Sequence, residues 1–254
     1  IYQPLFEMLR GTVIKLKNHS DWRVPMVISF SIGVIVVGWL YWGRFECNIT
    51  GFFRIGSELR LSPLLNPDKV LIVKGEMGYD GQQMLSIALA PGLNNQGTIL
   101  SLDNPAYRYR RILYPILGYL LGGGNPFWIP WALVGINVIA LVVCTGLIAF
   151  YYHGHQRSVY QSIWFSSIPG IWMVLSFSTA DLLAGTFGLG AIISAHNRRT
   201  LLMLFCLAAG LLTRETLFIL WSALLLTHIQ KKQSQEVAVI GVSILPLLTW
   251  LSYI

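Results

Sequence analysis

Charge is what this sequence has least of. Only 11% of its 254 residues are charged, against roughly 25% in soluble domains, while 54% are hydrophobic. A soluble core cannot hide that much apolar surface. Cysteine is scarce too: Cys144 and Cys206 fall inside apolar runs and Cys47 stands alone in a loop. That pattern excludes a disulfide framework and metal-ligand spacing. There is no internal repeat, no low-complexity tract, and no linker long enough to separate soluble domains. The apolar runs do not alternate with polar residues, which argues against a β-barrel.

What is present are several stretches of about 18 or more residues without a charge, enough for a helix to cross roughly 30 Å of hydrocarbon. The formal charge of +7 does not point to nucleic acid, because the basic residues cluster beside apolar runs, where they orient membrane proteins. The expected fold is therefore all-α, a polytopic transmembrane helical protein. Residues 1–254 read as a single transmembrane domain, expected to be a piece of a longer chain, since it opens on Ile1 and ends inside an apolar run.

Val24 to Gly43 is the first span, and Lys15, Lys17 and Arg23 before it face the cytoplasm under the positive-inside rule. Residues 44–125 then form a long extracytoplasmic loop. Within it, Met84 to Ala90 reads as a short helix. Ile112 to Leu121 reads as an interfacial or re-entrant helix, stopped by Gly122, Gly123, Gly124 and Pro126. Phe127 to Tyr152 returns inward, Val159 to Ser178 crosses outward, and Leu182 to Ala195 crosses back. Leu201 to Ile229 is 29 residues, or roughly 43 Å at about 1.5 Å per residue. A break at Thr213, Arg214 and Glu215 keeps Lys231 and Lys232 on the cytoplasmic side. Val237 to Ile254 starts another outward crossing.

This topology gathers Asp80, Asp103, Arg108, Arg110, Arg111, Asp181, Arg214 and Glu215 on one side of the membrane. Ionisable groups at membrane depth are costly and tend to line polar cavities. The densest motif is Gly78-Tyr79-Asp80-Gly81-Gln82, followed by Asp103-Asn104-Pro105-Ala106-Tyr107-Arg108-Tyr109-Arg110-Arg111-Ile112-Leu113-Tyr114-Pro115. Later pieces are Ser176-Phe177-Ser178 with Asp181-Leu182-Leu183, and Leu212-Thr213-Arg214-Glu215-Thr216.

From about Gly75 to Glu215 the chain resembles the GT-C superfamily of membrane glycosyltransferases, most of all a bacterial cell-surface glycopolymer branch related to PIG-V type mannosyltransferases. The resemblance implies sugar transfer, with inversion, from a polyprenyl-phosphate donor to a surface glycan or lipid acceptor, in the bacterial inner (plasma) membrane with the active site outside. It implies an acidic base in the first loop, a position Asp80 matches. A carboxylate there would take the proton of an attacking hydroxyl. Arg108, Arg110, Arg111 or Arg214 would hold the lipid phosphate, as a permanently charged planar fork does. Tyr79, Gln82 and Tyr107 would contact sugar, Asp103, Asp181 and Glu215 would complete the site, and the apolar groove beside Ile112 to Leu121 would take the lipid tail. Membrane lipids are the other expected partner. No cofactor is expected, although a divalent metal stays open. The family usually has more spans, and many members carry an acid closer to the first span, here Glu46, so the choice of base is open.

Plainer uses exist for each residue. Asp80 could sit in an Asp-Gly turn, the arginines could anchor a helix to headgroups, Asp181 could cap a helix, and Arg214 and Glu215 could neutralise each other. His153 and His155 read as solvated loop residues, and Asn48-Ile49-Thr50 is a glycosylation acceptor only in a eukaryote. Two other functions compete: a transporter or flippase of lipid-linked sugars, which should show repeats, and a non-catalytic scaffold subunit of a membrane complex.

Overall fold

The computed structural model describes residues 21–254. Lys15 and Lys17 lie outside the described residues. The described residues are mostly helical, and among them three helical stretches are long and apolar enough to cross a membrane: Val24–Arg44, Trp128–Gly154 and Ser234–Tyr253. The first comprises α1 (Val24–Trp39) and a π-helical turn, Leu40–Arg44. The second is the single helix α6 (Trp128–Gly154). The third combines α11 (Ser234–Val242) and α12 (Leu245–Tyr253). Shorter apolar helices complete the bundle: α8 (Asp181–His196), α9 (Thr200–Thr213) and α10 (Leu217–Gln230).

Polar side chains stitch the helices together. The Ser29 hydroxyl on α1 lies 3.0 Å from Thr145 on α6 and 3.4 Å from Ser166. In an apolar bundle, where small residues allow close approach, such bonds contribute about 0.6 kcal/mol on average. Pairs like this set helix rotation more than stability.

Residues 44–125 form a packed unit rather than a loose loop. It contains α2 (Asp80–Leu89), the single turns α3 (Gln96–Ile99) and α4 (Pro105–Arg108), a 3-10 turn at Tyr109–Arg111, and α5 (Leu113–Leu121). Phe52, Phe53, Ile55, Met84 and Leu85 are fully buried against Leu133 of α6. One short parallel pairing, β1 (Ile55–Gly56) with β2 (Ile72–Val73), is an addition to the all-α expectation. Its cause is local, because the backbone around Ile55 is buried and buried amides need partners.

Two expected elements differ in detail. The short helix in the loop starts at Asp80 rather than Met84, because Tyr79 is extended (φ −133°, ψ 174°) and an acid in the first turn favours the positive end of the helix. Val159 to Ser178 is not one crossing. It divides into a 3-10 helix, Val159–Ser167, and α7 (Pro169–Phe177). Proline lacks an amide hydrogen and pushes the preceding residue out of the helical region, and Ile168 is accordingly extended (ψ 117°). The expected break at Thr213 to Glu215 is present, since α9 ends at Thr213 and α10 starts at Leu217.

Candidate functional site

Asp80 is the first residue of α2. The next residue, Gly81, lets that helix start pack on the chain leaving α7: a Cβ there would lie 2.1 Å from the Phe177 carbonyl oxygen and 3.1 Å from the Phe53 Cα. Only glycine permits this approach, so the close packing of α2 on the α7–α8 turn follows from one residue. The turn itself is held by a buried network. The Tyr114 hydroxyl donates to the Leu133 carbonyl (3.0 Å), meets the Ser178 hydroxyl (3.0 Å) and accepts from Asn137 Nδ2 (2.9 Å), which also donates to the Thr179 carbonyl (3.1 Å). Ser178 takes a left-handed conformation (φ 48°), which reverses the chain into Asp181.

Around Asp80 the structure assembles three carboxylates and two guanidiniums. Arg108 donates Nη1 to Asp80 Oδ1 (2.6 Å) and grips Asp103 with Nε (2.8 Å) and Nη2 (2.6 Å). Arg111 donates Nη1 to Asp80 Oδ2 (3.2 Å) and grips Glu215 with Nε (2.9 Å) and Nη2 (2.6 Å). Tyr107 donates its hydroxyl to Glu215 (3.0 Å) and accepts from Arg111, whose guanidinium lies 4.7 Å from the Tyr107 ring centre. Arg108 and Arg111 are three residues apart on one helical turn, so they share a face. Arg110 is exposed and belongs to none of these ion pairs. An extended strand would have paired Arg108 with Arg110; the helical turn pairs Arg108 with Arg111 instead.

The electrostatics follow. The Arg108 guanidinium holds Asp103 below the ordinary carboxylate value despite partial burial. Burial pushes Glu215 up, but the Arg111 guanidinium, its own backbone amide and the Tyr107 hydroxyl outweigh it and leave the acid at about 2. Arg108 is raised in turn, chiefly by its bonds to Asp103, while burial works against this. Burial likewise opposes the charge on Arg111, yet Glu215 more than compensates. Asp103, Glu215, Arg108 and Arg111 therefore all favour their charged forms.

Arg214 and Glu215 do not neutralise each other. Glu215 belongs to Arg111, whereas Arg214 pairs with Asp181. Asp181 makes no capping bond at the start of α8 and instead accepts from the Thr179 hydroxyl (2.8 Å). Tyr79 is half-exposed with its ring 4.9 Å from that of Phe177. Gln82, expected to contact sugar, is buried. It accepts from the Gly56 amide (2.9 Å) and so holds β1, while its Nε2 has no partner among the described residues.

Beside the cluster lies an apolar groove of about 800 Å³, walled by Ile112, Ile116, Leu212, Pro246, Trp250 and Tyr253. Ile112 directly follows Arg111 in the chain. Trp250 in its wall donates Nε1 to the Tyr109 carbonyl (2.7 Å). Among the described residues no group of three or more His, Cys, Asp or Glu side chains is placed to hold a metal ion.

Sequence reasoning overlooked Gln83, whose Oε1 accepts from the Asp103 amide (3.4 Å), and the Tyr114–Asn137 network. Asn137 had a legible signal, being the one amide side chain in the apolar run from Phe127 to Tyr152, where buried polar groups need named partners. No family model, curated protein or solved structure matches this chain.

Proposed function

We propose that the protein is a polytopic membrane glycosyltransferase of the GT-C type that transfers a hexose or pentose from a polyprenyl-phosphate donor to a glycan or lipid acceptor. The observation that carries this reading is the juxtaposition of a charged, partly water-accessible cluster with an apolar groove, joined at Arg111 and Ile112. A donor with a charged head and an apolar tail has that shape. The active site would face the extracytoplasmic side of a bacterial inner membrane, with residues 44–125 as the loop that carries Asp80.

In the proposed reaction an acceptor hydroxyl attacks the anomeric carbon. The new C–O bond forms as the bond to the donor phosphate breaks, the hydroxyl proton passes to the Asp80 carboxylate, and the polyprenyl phosphate leaves with the bonding electrons. Both guanidiniums are occupied by carboxylates in this structure, so phosphate must displace one. Asp103 is the carboxylate to yield, because Arg108 is the one guanidinium it meets, whereas Asp80 meets both and Glu215 is held by the Tyr107 hydroxyl as well. Arg108 would then turn its fork from Asp103 to the phosphate while Arg111 stays on Glu215. Arg214, with Asp181 as partner, is the second candidate for phosphate.

The same closure of arginines on carboxylates also suits a non-catalytic subunit, in which the cluster only braces the loop. The test is sugar transfer by membranes containing the full-length protein, supplied with radiolabelled polyprenyl-phosphate sugars and extracted acceptors. Asp80→Asn should lower transfer by about 10²–10⁴-fold, the usual contribution of a general base, with expression unchanged. Undiminished transfer removes Asp80 from the chemistry, and no transfer by the wild type with any donor supports the bracing role.

A further inference from the structure

At the end of the bundle opposite the charged cluster, a second cavity of about 410 Å³ opens between α1, α6, α8 and α9, within the range of about 300–1,000 Å³ typical of small-ligand sites. Met26, Phe150 and Leu202 wall it, and its polar edge is Ser194, Asn197 and Arg199. Three features mark that edge as unfinished. Ser194 is 1% exposed and its Oγ has no hydrogen-bond partner among the described residues, although buried polar side chains ordinarily find one. Arg199 is exposed and in no ion pair among the described residues. It stands at the start of α9, a 14-residue helix with no side-chain cap, so first-turn amides and the positive end of the helix dipole face the same edge.

Each feature asks for an anion with hydrogen-bond acceptors, while the cavity behind asks for hydrocarbon. Trp22, which stands edge-on to Phe150 (5.9 Å) with the Arg23 guanidinium 5.6 Å from its ring centre, gives this rim the aromatic and basic character of a membrane interface. Arg23, Arg198 and Arg199 belong to the same end, and anionic headgroups concentrate beside such basic clusters.

We propose that this cavity is a binding site for an anionic phospholipid, with one acyl chain between α1, α6, α8 and α9 and the phosphate against Arg199 and the uncapped start of α9. Ser194 gains a partner from the glycerol ester region. The site is independent of the transferase reading, since its residues lie outside the Asp80 cluster.

The experiment is native mass spectrometry of the purified full-length protein in neutral detergent. Dioleoyl phosphatidylglycerol, dioleoyl phosphatidylcholine and water-soluble glycerol 3-phosphate are titrated separately. Phosphatidylglycerol should be retained about fivefold more tightly than phosphatidylcholine, the size of one basic contact of about 1 kcal/mol near a membrane surface. Arg199→Gln should abolish that preference, and Arg157→Gln, at an exposed arginine outside the cavity lining, should not. Leu202→Trp fills the cavity from its exposed edge, Leu202 being 45% exposed, and should abolish retention of the first phosphatidylglycerol. Unchanged melting of the lipid-free variants shows that folding is intact. Equal retention of the two lipids, equal binding of glycerol 3-phosphate, or full retention by Leu202→Trp would each overturn the proposal.

Discussion

Replacing Arg111 by Met tests whether the cluster is a single cooperating unit. The guanidinium is 5% exposed and bridges Asp80, at 29% exposure, to Glu215, at 36%. Its removal leaves Asp80 with Arg108 and Glu215 with the Tyr107 hydroxyl as their remaining side-chain partners. Breaking a fully buried pair from one side costs about 3–5 kcal/mol. Water reaches both carboxylates here and screens them, so the expected loss falls to about 2–3 kcal/mol. At about 2–4 °C per kcal/mol for a chain of this size, the melting temperature should drop by roughly 4–12 °C.

The control is Arg54→Met. Arg54 pairs with Glu76 at 2.7 Å, but both side chains are about a third exposed, 34% and 37%, and such pairs contribute about 0–1 kcal/mol. Thermal unfolding of both variants in the same detergent at pH 7 makes the comparison. A Glu215→Gln background should shrink the Arg111→Met effect by about 0.5–3 kcal/mol, because the two residues are coupled. Equal melting of Arg111→Met and Arg54→Met, or full additivity with Glu215→Gln, would refute the cluster as a unit.

Acid sensitivity follows from the lowered carboxyls. Glu215 falls from 4.5 to about 2, so its stabilisation is complete above about pH 4.5 and is lost as pH drops toward 2. Melting temperatures measured across that window should fall for the wild type and fall less for Glu215→Gln; parallel curves would contradict the Arg111–Glu215 pairing. Gly81→Ala should cost about 1–3 kcal/mol, as forced overpacking does, because its Cβ meets backbone that cannot swing aside. The same variant should lose transfer in the Asp80 assay even when it still folds, while Gly135→Ala, with open space around it and a helix interior that favours alanine, should not destabilise and should leave transfer unchanged.

The mostly helical class, the helices apolar and long enough to cross a membrane, and the break near Arg214 were legible in the sequence. Each depends on local properties: run length, charge placement, and residues that favour or stop a helix. The unexpected split at Pro169 was legible in principle too, since proline acts on its immediate neighbours. The ion-paired group of Asp80, Asp103, Arg108, Arg111 and Glu215 was also expected, because the crossings read from the sequence put these residues on one side. Sides are not partners, however. Only the tertiary structure decided that Arg111 takes Glu215, that Arg214 takes Asp181, that Arg110 stays outside, and that Gln82 turns into the core.

Those outcomes depend on distances between residues as many as 104 positions apart. They are set by how α2 and α5 pack against α6 and by the helical pitch that puts Arg108 and Arg111 on one face. The same holds for the cavity by Ser194, whose walls come from four helices. Sequence periodicity records which face of a helix is apolar; it does not record how closely four such faces meet, and that spacing decides whether a hydroxyl finds a partner or waits for one.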